Sequence, residues 1–311
     1  MRQPELFPTQ AAKPILKWAG GKTQLLSQIE ENLPEDIFQG EIKRYIEPFI
    51  GGGALFFYIA KNFSSIDEFV LVDANRELIL LYSVVKKDVD LLIDQLGIIS
   101  EKYIASSEEE RKKYYYRIRS QFNEKIPEID YKKYSNEWIL RAAQIVFMNR
   151  TCFNGLFRVN SKGEFNVPFG KYKNPTILDE KNLRAASFVF QSAKILSGDF
   201  SIIEPLVDES TFIYFDPPYR PISDTASFKS YSKSDFNDNE QLRLASFFRK
   251  LDEKGAKLML SNSDPKNINP DDEFFDNAFG DFTIKRVQAS RLINSKASKR
   301  GPITEILVIN Y

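Results

Sequence analysis

The sequence predicts an α/β protein in which a helical segment interrupts a mostly parallel sheet. Three observations predict this class. Short strand-like runs lie towards both ends of the chain, a charged stretch with helical spacing separates them, and apolar residues make up 42% of the 311 residues. That apolar content is enough for a core, and the composition excludes disorder and collagen-like structure.

The first part of the predicted sheet lies in residues 44–73. RYIEPFI (44–50) is typical of a strand, and it runs into three glycines. ALFFYIAKNF (54–63) has helical spacing, and FVLVD (69–73) is a short buried strand that ends in an acid. A strand, a glycine turn, a helix and a second strand are the start of a parallel sheet.

From about residue 76 to 178 the sequence is mostly helical and charged. ELILLYSVV, DVDLLIDQLGII and EEERKKYYYRIRSQF have apolar residues at helical spacing. Strand-like runs return at 211–216, 256–264 and 305–311. We therefore predict one discontinuous domain, residues 1–75 and 179–311, and an inserted helical domain, residues 76–178.

The composition also excludes several classes of site. The chain has no histidine, which removes Ser-His-Asp and Cys-His catalysis and histidine metal ligands. Its single cysteine, Cys152, excludes disulfides and thiolate zinc sites and fits a reducing compartment. Residues 1–10 lack the apolar region of a signal peptide, and no run reaches the length of a membrane span. We expect a cytoplasmic monomer with no metal and no membrane partner.

Two glycine-bearing segments could approach a ligand. Lys22 ends a GGK run, but the phosphate-binding loop pattern requires glycine where Leu16 stands. Gly51-x-Gly53 lacks the third glycine of a dinucleotide fingerprint, and Asp73 lies 20 residues after Gly53. A carboxylate at that place binds the hydroxyls of an adenosyl ribose, or else it is a surface acid beside a plain tight turn.

Asp216-Pro217-Pro218-Tyr219 directly follows the buried run at 212–215. Open α/β sheets bind their ligands at the carboxyl ends of their strands. The prolines stiffen the backbone and have no N–H, which leaves carbonyls as oriented acceptors. An acid, a fixed carbonyl and an aromatic ring suit the exocyclic amino group of a base. The alternative is a proline-rich turn with a capping acid.

Six motifs in order give the chain a resemblance to a known family. They are KWAGGK (17–22), EPFIGGG (47–53), VDAN (72–75), NRTCFNGLFRVNSKGEFNVPFGKY (149–172), DPPY (216–219) and SNSD (261–264). With these motifs the chain resembles the Dam-type DNA adenine methyltransferases, the N6-adenine alpha group. The resemblance implies a class I S-adenosylmethionine-dependent fold, a Rossmann-like sheet with an inserted helical DNA-recognition domain.

The resemblance implies S-adenosylmethionine as the cofactor. The residues that it assigns to the cofactor pocket are Trp18, Lys22, Phe49, Gly51, Gly53, Asp73, Asp199, Phe200 and Asp216. Trp18 would pack on the cofactor and Lys22 would meet its carboxylate. Asp199 would read the adenine amino group, although a turn at the end of a strand is the other interpretation of Asp199-Phe200.

The implied chemistry requires no histidine and no metal. An adenine amine is a poor nucleophile because its lone pair is conjugated with the ring. Hydrogen bonds to Asp216 and to the Pro217 carbonyl would free that lone pair for attack on a sulfonium methyl. Because the amine is buried in a duplex, the base must be flipped out, and Tyr219 would stack on it.

The long middle motif implies double-stranded DNA as the partner and GATC as the target. Residues 147–178 carry five basic residues and one acid, a footprint for phosphates. The residues that the resemblance places at the DNA are Lys17, Phe153, Asn154, Leu156, Arg158, Pro168, Lys171 and Tyr172. Arg158 would make a bidentate contact to guanine. Lys17 would contact the outer guanine and Lys171 a phosphate.

Two more segments and three rival interpretations complete the sequence predictions. Residues 282–304 carry six basic residues and no acid, which indicates a phosphate-gripping loop or a solvated hairpin. Residues 220–236 are predicted to form a flap over the base. The rivals are a non-catalytic DNA-binding protein on this scaffold, methylation of RNA and methylation of another DNA site. A cognate restriction endonuclease that acts on the same site is a further possible partner.

Overall fold

The computed structural model describes residues 11–18, 20, 25–221, 236–290 and 302–311. Its helices are α1 (Leu26–Glu30), α2 (Glu35–Phe38), α3 (Ala54–Asn62), α4 (Arg76–Lys87), α5 (Val89–Ile104), α6 (Glu108–Glu124), α7 (Glu137–Thr151), α8 (Glu180–Phe190), α9 (Asp238–Asp252) and α10 (Phe274–Ala278). Its strands are β1 (Arg44–Glu47), β2 (Glu68–Asp73), β3 (Ala193–Ser197), β4 (Thr211–Phe215), β5 (Lys257–Ser263), β6 (Thr283–Ser290) and β7 (Pro302–Ile309).

The strands in the described residues form one seven-stranded sheet in the order β3-β2-β1-β4-β5-β7-β6. β1 pairs in parallel with β2 and with β4, and β4 pairs in parallel with β5. β7 is antiparallel to both of its neighbours, β5 and β6. The predicted α/β class is confirmed, and its sheet is that of a class I methyltransferase fold.

The chain divides into two compact units. Unit 1 comprises residues 1–21, 51–62 and 73–197, and unit 2 comprises residues 22–50, 63–72 and 198–311. Unit 1 contains the helices α3 to α8, and unit 2 contains most of the sheet. The domain boundaries predicted from the sequence, after residues 75 and 178, stay a prediction.

The core of unit 2 follows from the burial of its central strands. All five residues of β4 are buried, as are six of the seven residues of β5. Parallel strands covered on both faces have such near-continuous apolar runs. In unit 1 the core helix is α7, in which twelve of fifteen residues are buried. None of the described helices has the length and apolar character that crossing a bilayer would require.

Candidate functional site

The DPPY segment lies directly after β4, where the parallel strands β1, β4 and β5 of unit 2 also end. The Ser261 hydroxyl on β5 donates to Oδ1 of Asp216 at 3.1 Å. The same hydroxyl lies 2.8 Å from the phenol oxygen of Tyr214, and Ser261 is fully buried. The Asp216 carboxylate therefore has a defined orientation at the end of its strand.

The backbone after Asp216 is held by buried side chains of β5 and α9. The Gln241 amide donates to the Pro218 carbonyl at 2.9 Å, and the Asn262 amide donates in turn to Gln241. Asn262 also accepts from the N–H of Arg220, whose carbonyl accepts from the Ser263 hydroxyl. A turn held at successive peptides keeps the acceptors that it presents in place before any ligand binds.

The hydroxyl end of Tyr219 is anchored in unit 2. Its O–H donates to Oε2 of Glu305 on β7 at 2.6 Å. Burial and the negative charge of Asp216 raise the pKa of Tyr219, which keeps the phenol neutral. One end of the ring is thereby fixed, as a stacking platform requires.

The predicted Asp199-Phe200 pair begins a 3-10 helix, residues 200–206. The Arg243 guanidinium forks onto Asp199 at 3.0 and 2.7 Å, and the N–H and hydroxyl of Ser201 also donate to the carboxylate. These hydrogen bonds hold the pKa of Asp199 below its ordinary value. Arg243 also lies 4.0 Å over the ring of Phe200, which packs against Phe49.

The glycine turn of unit 1 is shaped by Trp18. Gly51 and Gly53 have φ of +46° and +70°, in the left-handed region that glycine tolerates. A Cβ built on Gly51 or on Gly52 would lie 3.0 Å from Trp18. The indole also stacks on Phe157, with ring centroids 5.6 Å apart. The tryptophan therefore requires glycines at this turn.

Both carboxylate oxygens of Asp73 accept backbone hydrogen bonds, one of them from the same turn. Oδ2 accepts from the N–H of Gly51 at 3.0 Å, and Oδ1 accepts from the N–H of Asn75 at 2.8 Å. Burial raises the pKa of Asp73, and the two N–H groups oppose that rise. Each carboxylate oxygen has two lone pairs, so this geometry leaves acceptor capacity for a ligand hydroxyl.

The predicted DNA-contacting residues other than Lys17 lie on a folded loop of unit 1 that follows α7. The N–H of Phe153 donates to the Pro168 carbonyl, and bridges join Cys152 to Phe169 and Val159 to Phe165. The structure brings eight predicted residues into unit 1: Lys17, Phe153, Asn154, Leu156, Arg158, Pro168, Lys171 and Tyr172. Phe153 is 53% exposed, although its ring is large and apolar.

Five of these residues have a defined side-chain partner or an unusual backbone conformation. Arg158 donates from Nε to Oδ1 of Asn166 at 2.8 Å, which orients its guanidinium. Asn154 and Lys171 have φ of +59° and +54°, a conformation uncommon for residues other than glycine. Lys17 lies with its ammonium 5.3 Å over the ring of Tyr172.

The comparisons with known proteins decide the family. A family model for the D12 class of N6 adenine-specific DNA methyltransferases matches residues 18–293. The chain belongs to this D12 class. It is an adenine-specific DNA methyltransferase, as the sequence predicted.

Individual relatives of this methyltransferase align along almost the whole chain. The type II methyltransferase M.MjaIII of Methanocaldococcus jannaschii is 52% identical over 96% of this chain and 99% of its own length. The type II methyltransferase M1.LlaDCHI of Lactococcus lactis subsp. cremoris is 40% identical, over 96% and 95%. The DNA adenine methylase of Escherichia coli K12 is 32% identical, over 95% and 94%.

Parts of the sequence prediction lie outside the residues that the structure describes. Lys22 and most of the predicted flap at 220–236 are among them, as is the centre of the basic stretch at 282–304. The ends of that basic stretch form the antiparallel strands β6 and β7. The guanidinium of Arg286 on β6 forms an ion pair with Asp264, which follows β5. Within the described ranges, no three acidic or cysteine side chains are grouped as a metal site would require.

Sequence reasoning missed the side chains that hold the methyltransferase's predicted site residues. They are Asn149, Asn166, Gln241, Arg243, Ser261 and Glu305. Two signals were available. Asn149 opens the middle motif and interrupts the apolar run of α7, and Ser261 opens SNSD. The partners themselves lie up to 132 residues apart, at separations that no local pattern reports.

Proposed function

We propose that this methyltransferase transfers the methyl group of S-adenosylmethionine to the N6 amine of an adenine flipped out of double-stranded DNA, at GATC. The observation that carries the proposal is Asp216, held by Ser261 at the end of β4 and followed by two prolines. This arrangement offers oriented acceptors to an amine and no strong base, as attack by a conjugated amine requires.

The glycine turn and Asp73 fit the adenosyl part of such a cofactor. Gly51 and Gly53 place no side chain over the turn, which lets a ligand approach the backbone. Asp73 is already fixed by two N–H groups and can accept from ribose hydroxyls through its remaining lone pairs. In unit 2, Phe49 and Phe200 supply aromatic surface, while Arg243 engages the Asp199 carboxylate.

The chain's own groups would activate and position the target base. Asp216 and the Pro217 carbonyl accept the two amine hydrogens and draw the nitrogen towards tetrahedral geometry. When bound, the cofactor would supply an electrophilic methyl group to the amine nitrogen, and Asp216, which accepts one amine hydrogen, would take up the proton that the methylated nitrogen loses. Tyr219, anchored by Glu305, stacks on the flipped ring. Most of the rate enhancement then comes from positioning.

The folded loop after α7 would read the target. Arg158, whose side chain is oriented by Asn166, would meet a guanine through its guanidinium. The exposed Phe153 is suited to fill the stack that the flipped base leaves, and Asn154 would face the orphaned thymine. Leu156 and Pro168 would contact a thymine methyl. The names of the first two relatives support a protective role beside an endonuclease of the same specificity.

The test is methyl transfer from labelled S-adenosylmethionine to a set of duplexes that contain GATC or one substituted base. We expect incorporation into adenine of GATC, and a drop of about 10²- to 10³-fold for Asp216→Asn, which keeps the shape but weakens one acceptor. Incorporation of labelled methyl groups without site preference, or at another sequence, would contradict the GATC assignment. Binding of DNA with no transfer by the wild type supports the non-catalytic rival.

A further inference from the structure

A single buried side-chain amide joins the N-terminal segment of unit 1 to the folded loop that follows α7. This loop carries the predicted base-reading residues and is called the reading loop below. Asn149 lies near the end of α7 and is 0% exposed. Its Oδ1 accepts from the N–H of Lys17 at 2.9 Å, and its Nδ2 donates to the carbonyls of Lys17 and Gly155, each at 2.9 Å. Both amide hydrogens and the amide oxygen are thereby used, as burial of the group demands.

The contact between Lys17 and Gly155 is close as well as hydrogen bonded. Gly155 has φ of +64°, and a Cβ built on it would lie 2.4 Å from Cδ of Lys17. The aliphatic part of the lysine therefore packs directly on the turn of Phe153–Gly155. The next residue of α7, Arg150, donates to the Ile15 carbonyl at 2.6 Å, which holds the same segment from a second point.

We propose that Asn149 is a positioning residue for base reading. It sets the spacing between Lys17 and the Phe153–Leu156 turn, so that both address one duplex site in a fixed register. This inference rests on the proposed function, because it takes Lys17 and the turn to face DNA. Asn149 itself touches no base, since it is fully buried.

The register matters because base contacts are directional. A contact to a base edge requires its donors within a few tenths of an ångström of their places, and a good contact discriminates by about tenfold to a hundredfold. A short side chain at residue 149 would leave Lys17 and Gly155 without their shared partner. Lys17 and the Phe153–Leu156 turn could then shift independently of each other, and the enzyme would discriminate less well against wrong bases.

The chain contains a matched control for this amide. Asn182 on α8 is 1% exposed and forms the same ladder with the backbone of Lys13, accepting from its N–H at 2.9 Å and donating to its carbonyl at 3.0 Å. Asn182 thus holds the same N-terminal segment four residues earlier. Its side chain makes this ladder with Lys13, whereas that of Asn149 also reaches Gly155.

The experiment compares Asn149→Ala with Asn182→Ala in the full chain. For each protein, kcat/KM is measured on the wild type's preferred duplex and on duplexes with one substituted base, together with cofactor affinity and Tm. We expect similar drops in Tm and unchanged cofactor affinity for both variants. Discrimination at the outer guanine should fall about tenfold or more in Asn149→Ala and stay within about twofold of wild type in Asn182→Ala.

Equal discrimination by the two variants, whether both lose it or both keep it, would overturn the positioning role. If Asn149→Ala does not fold, Gly155→Ala takes its place, because its added methyl group displaces Lys17. Gly163→Ala is its control, since Gly163 has φ of +79° and open space around its Cβ position. The wild-type arm tests the proposed function separately: no preference for any duplex would reject both, and another preferred site would reject GATC alone.

Discussion

Asp73 is a carboxylate whose ionised form the fold does not favour. Burial raises its pKa, and the N–H groups of Asn75 and Gly51 only partly offset that effect. Between the ordinary and the raised pKa, the folded chain binds more protons than the unfolded chain. The free energy of unfolding therefore falls as pH rises through that window, and ionised Asp73 costs stability at neutral pH.

For Asp73→Asn we accordingly expect the effect on stability to depend on pH and the effect on binding to be a loss. Asparagine removes the buried charge but accepts from only one of the N–H groups of Gly51 and Asn75, so the Tm of the variant relative to the wild type should be higher at pH 7 than at pH 4. Affinity for S-adenosylmethionine should fall at least about tenfold, since an amide is a poorer acceptor for ribose hydroxyls. Thermal melts at both pH values and calorimetry test this; a Tm difference between variant and wild type that does not rise from pH 4 to pH 7 would contradict it.

Substitutions of Arg158 and Lys171 should separate base recognition from binding of the DNA backbone. Arg158→Ala should reduce selectivity at one guanine position by about tenfold to a hundredfold and leave cofactor affinity unchanged. Lys171→Ala should weaken binding to all duplexes alike and flatten the salt dependence by about one unit. Binding titrations over a range of salt on matched and singly substituted duplexes give both quantities. Uniform weakening by Arg158→Ala would place the reading residue elsewhere.

At this scale the sequence identifies residues more readily than their partners. Asp199 was predicted to read an amino group, and its resemblance-based role stays a prediction. Arg243, which forks onto it, lies 44 residues further along the chain. Because a carboxylate's partners come from tertiary packing, no spacing rule could have named this arginine.

Side chains of helix α6 hold the reading loop through hydrogen bonds to its backbone. Tyr115 donates its hydroxyl to the Val167 carbonyl at 2.7 Å, and Asn123 exchanges two hydrogen bonds with the backbone of Phe165. The helix begins with a capping box of Ser107 and Glu110, which fixes its first turn. The sequence predicted a charged amphipathic helix here, but it did not predict the contact with the reading loop.

We expect Tyr115→Phe to loosen that support. It removes one buried hydrogen bond, worth about 1 kcal/mol of unfolding free energy, and should raise the KM for DNA more than the KM for cofactor. Tyr116→Phe is the matched control, because this neighbouring ring is only half-buried. Denaturant melts and steady-state kinetics decide it. Equal shifts in the two KM values would show that the hydroxyl matters only for stability.

Elements with a clear apolar period were predictable, and those without one were not. The runs at 69–73 and 211–216 became β2 and β4, since buried parallel strands are short and continuously apolar. β6 was not among the predicted strands, although a hairpin was one interpretation of 282–304, because TIKRVQAS carries lysine and arginine at the edge of the sheet, where charges are tolerated. α7 lies in the segment predicted to be mostly helical but was not identified individually, because a helix buried nearly all round shows no polar face.

For the whole molecule, motif order gave the family, and the strand pattern gave the α/β class. The sheet order was out of reach, because it depends on which strand edges meet. β7 is inserted between β5 and β6, with Ser261 opposite Leu307 and Arg286 opposite Ile306. Nothing in the local sequence of β7 states that it has two antiparallel neighbours.

A charge placed at a buried position of β7 should destabilise the fold much more than a charge at a half-buried position of the same strand. Ile306 is 0% exposed, whereas Ile303 on the same strand is half-buried. Ile306→Asp should lower the free energy of unfolding by at least about 3 kcal/mol, because an uncompensated charge is placed in the core. Ile303→Asp should cost much less. Soluble yield and denaturant melts measure both, and similar costs would mean that β7 is not an interior strand.

The position of β7 also sets an order of events during translation. β6 leaves the ribosome before β7, yet the strand that it pairs with is β7, and β7 in turn pairs with β5. Until residues 302–309 emerge, the edge of β5 and the whole of β6 have no strand to join. The nascent chain therefore carries an unpaired β5 edge that could pair with another chain, and this exposure ends only when β7 inserts between β5 and β6.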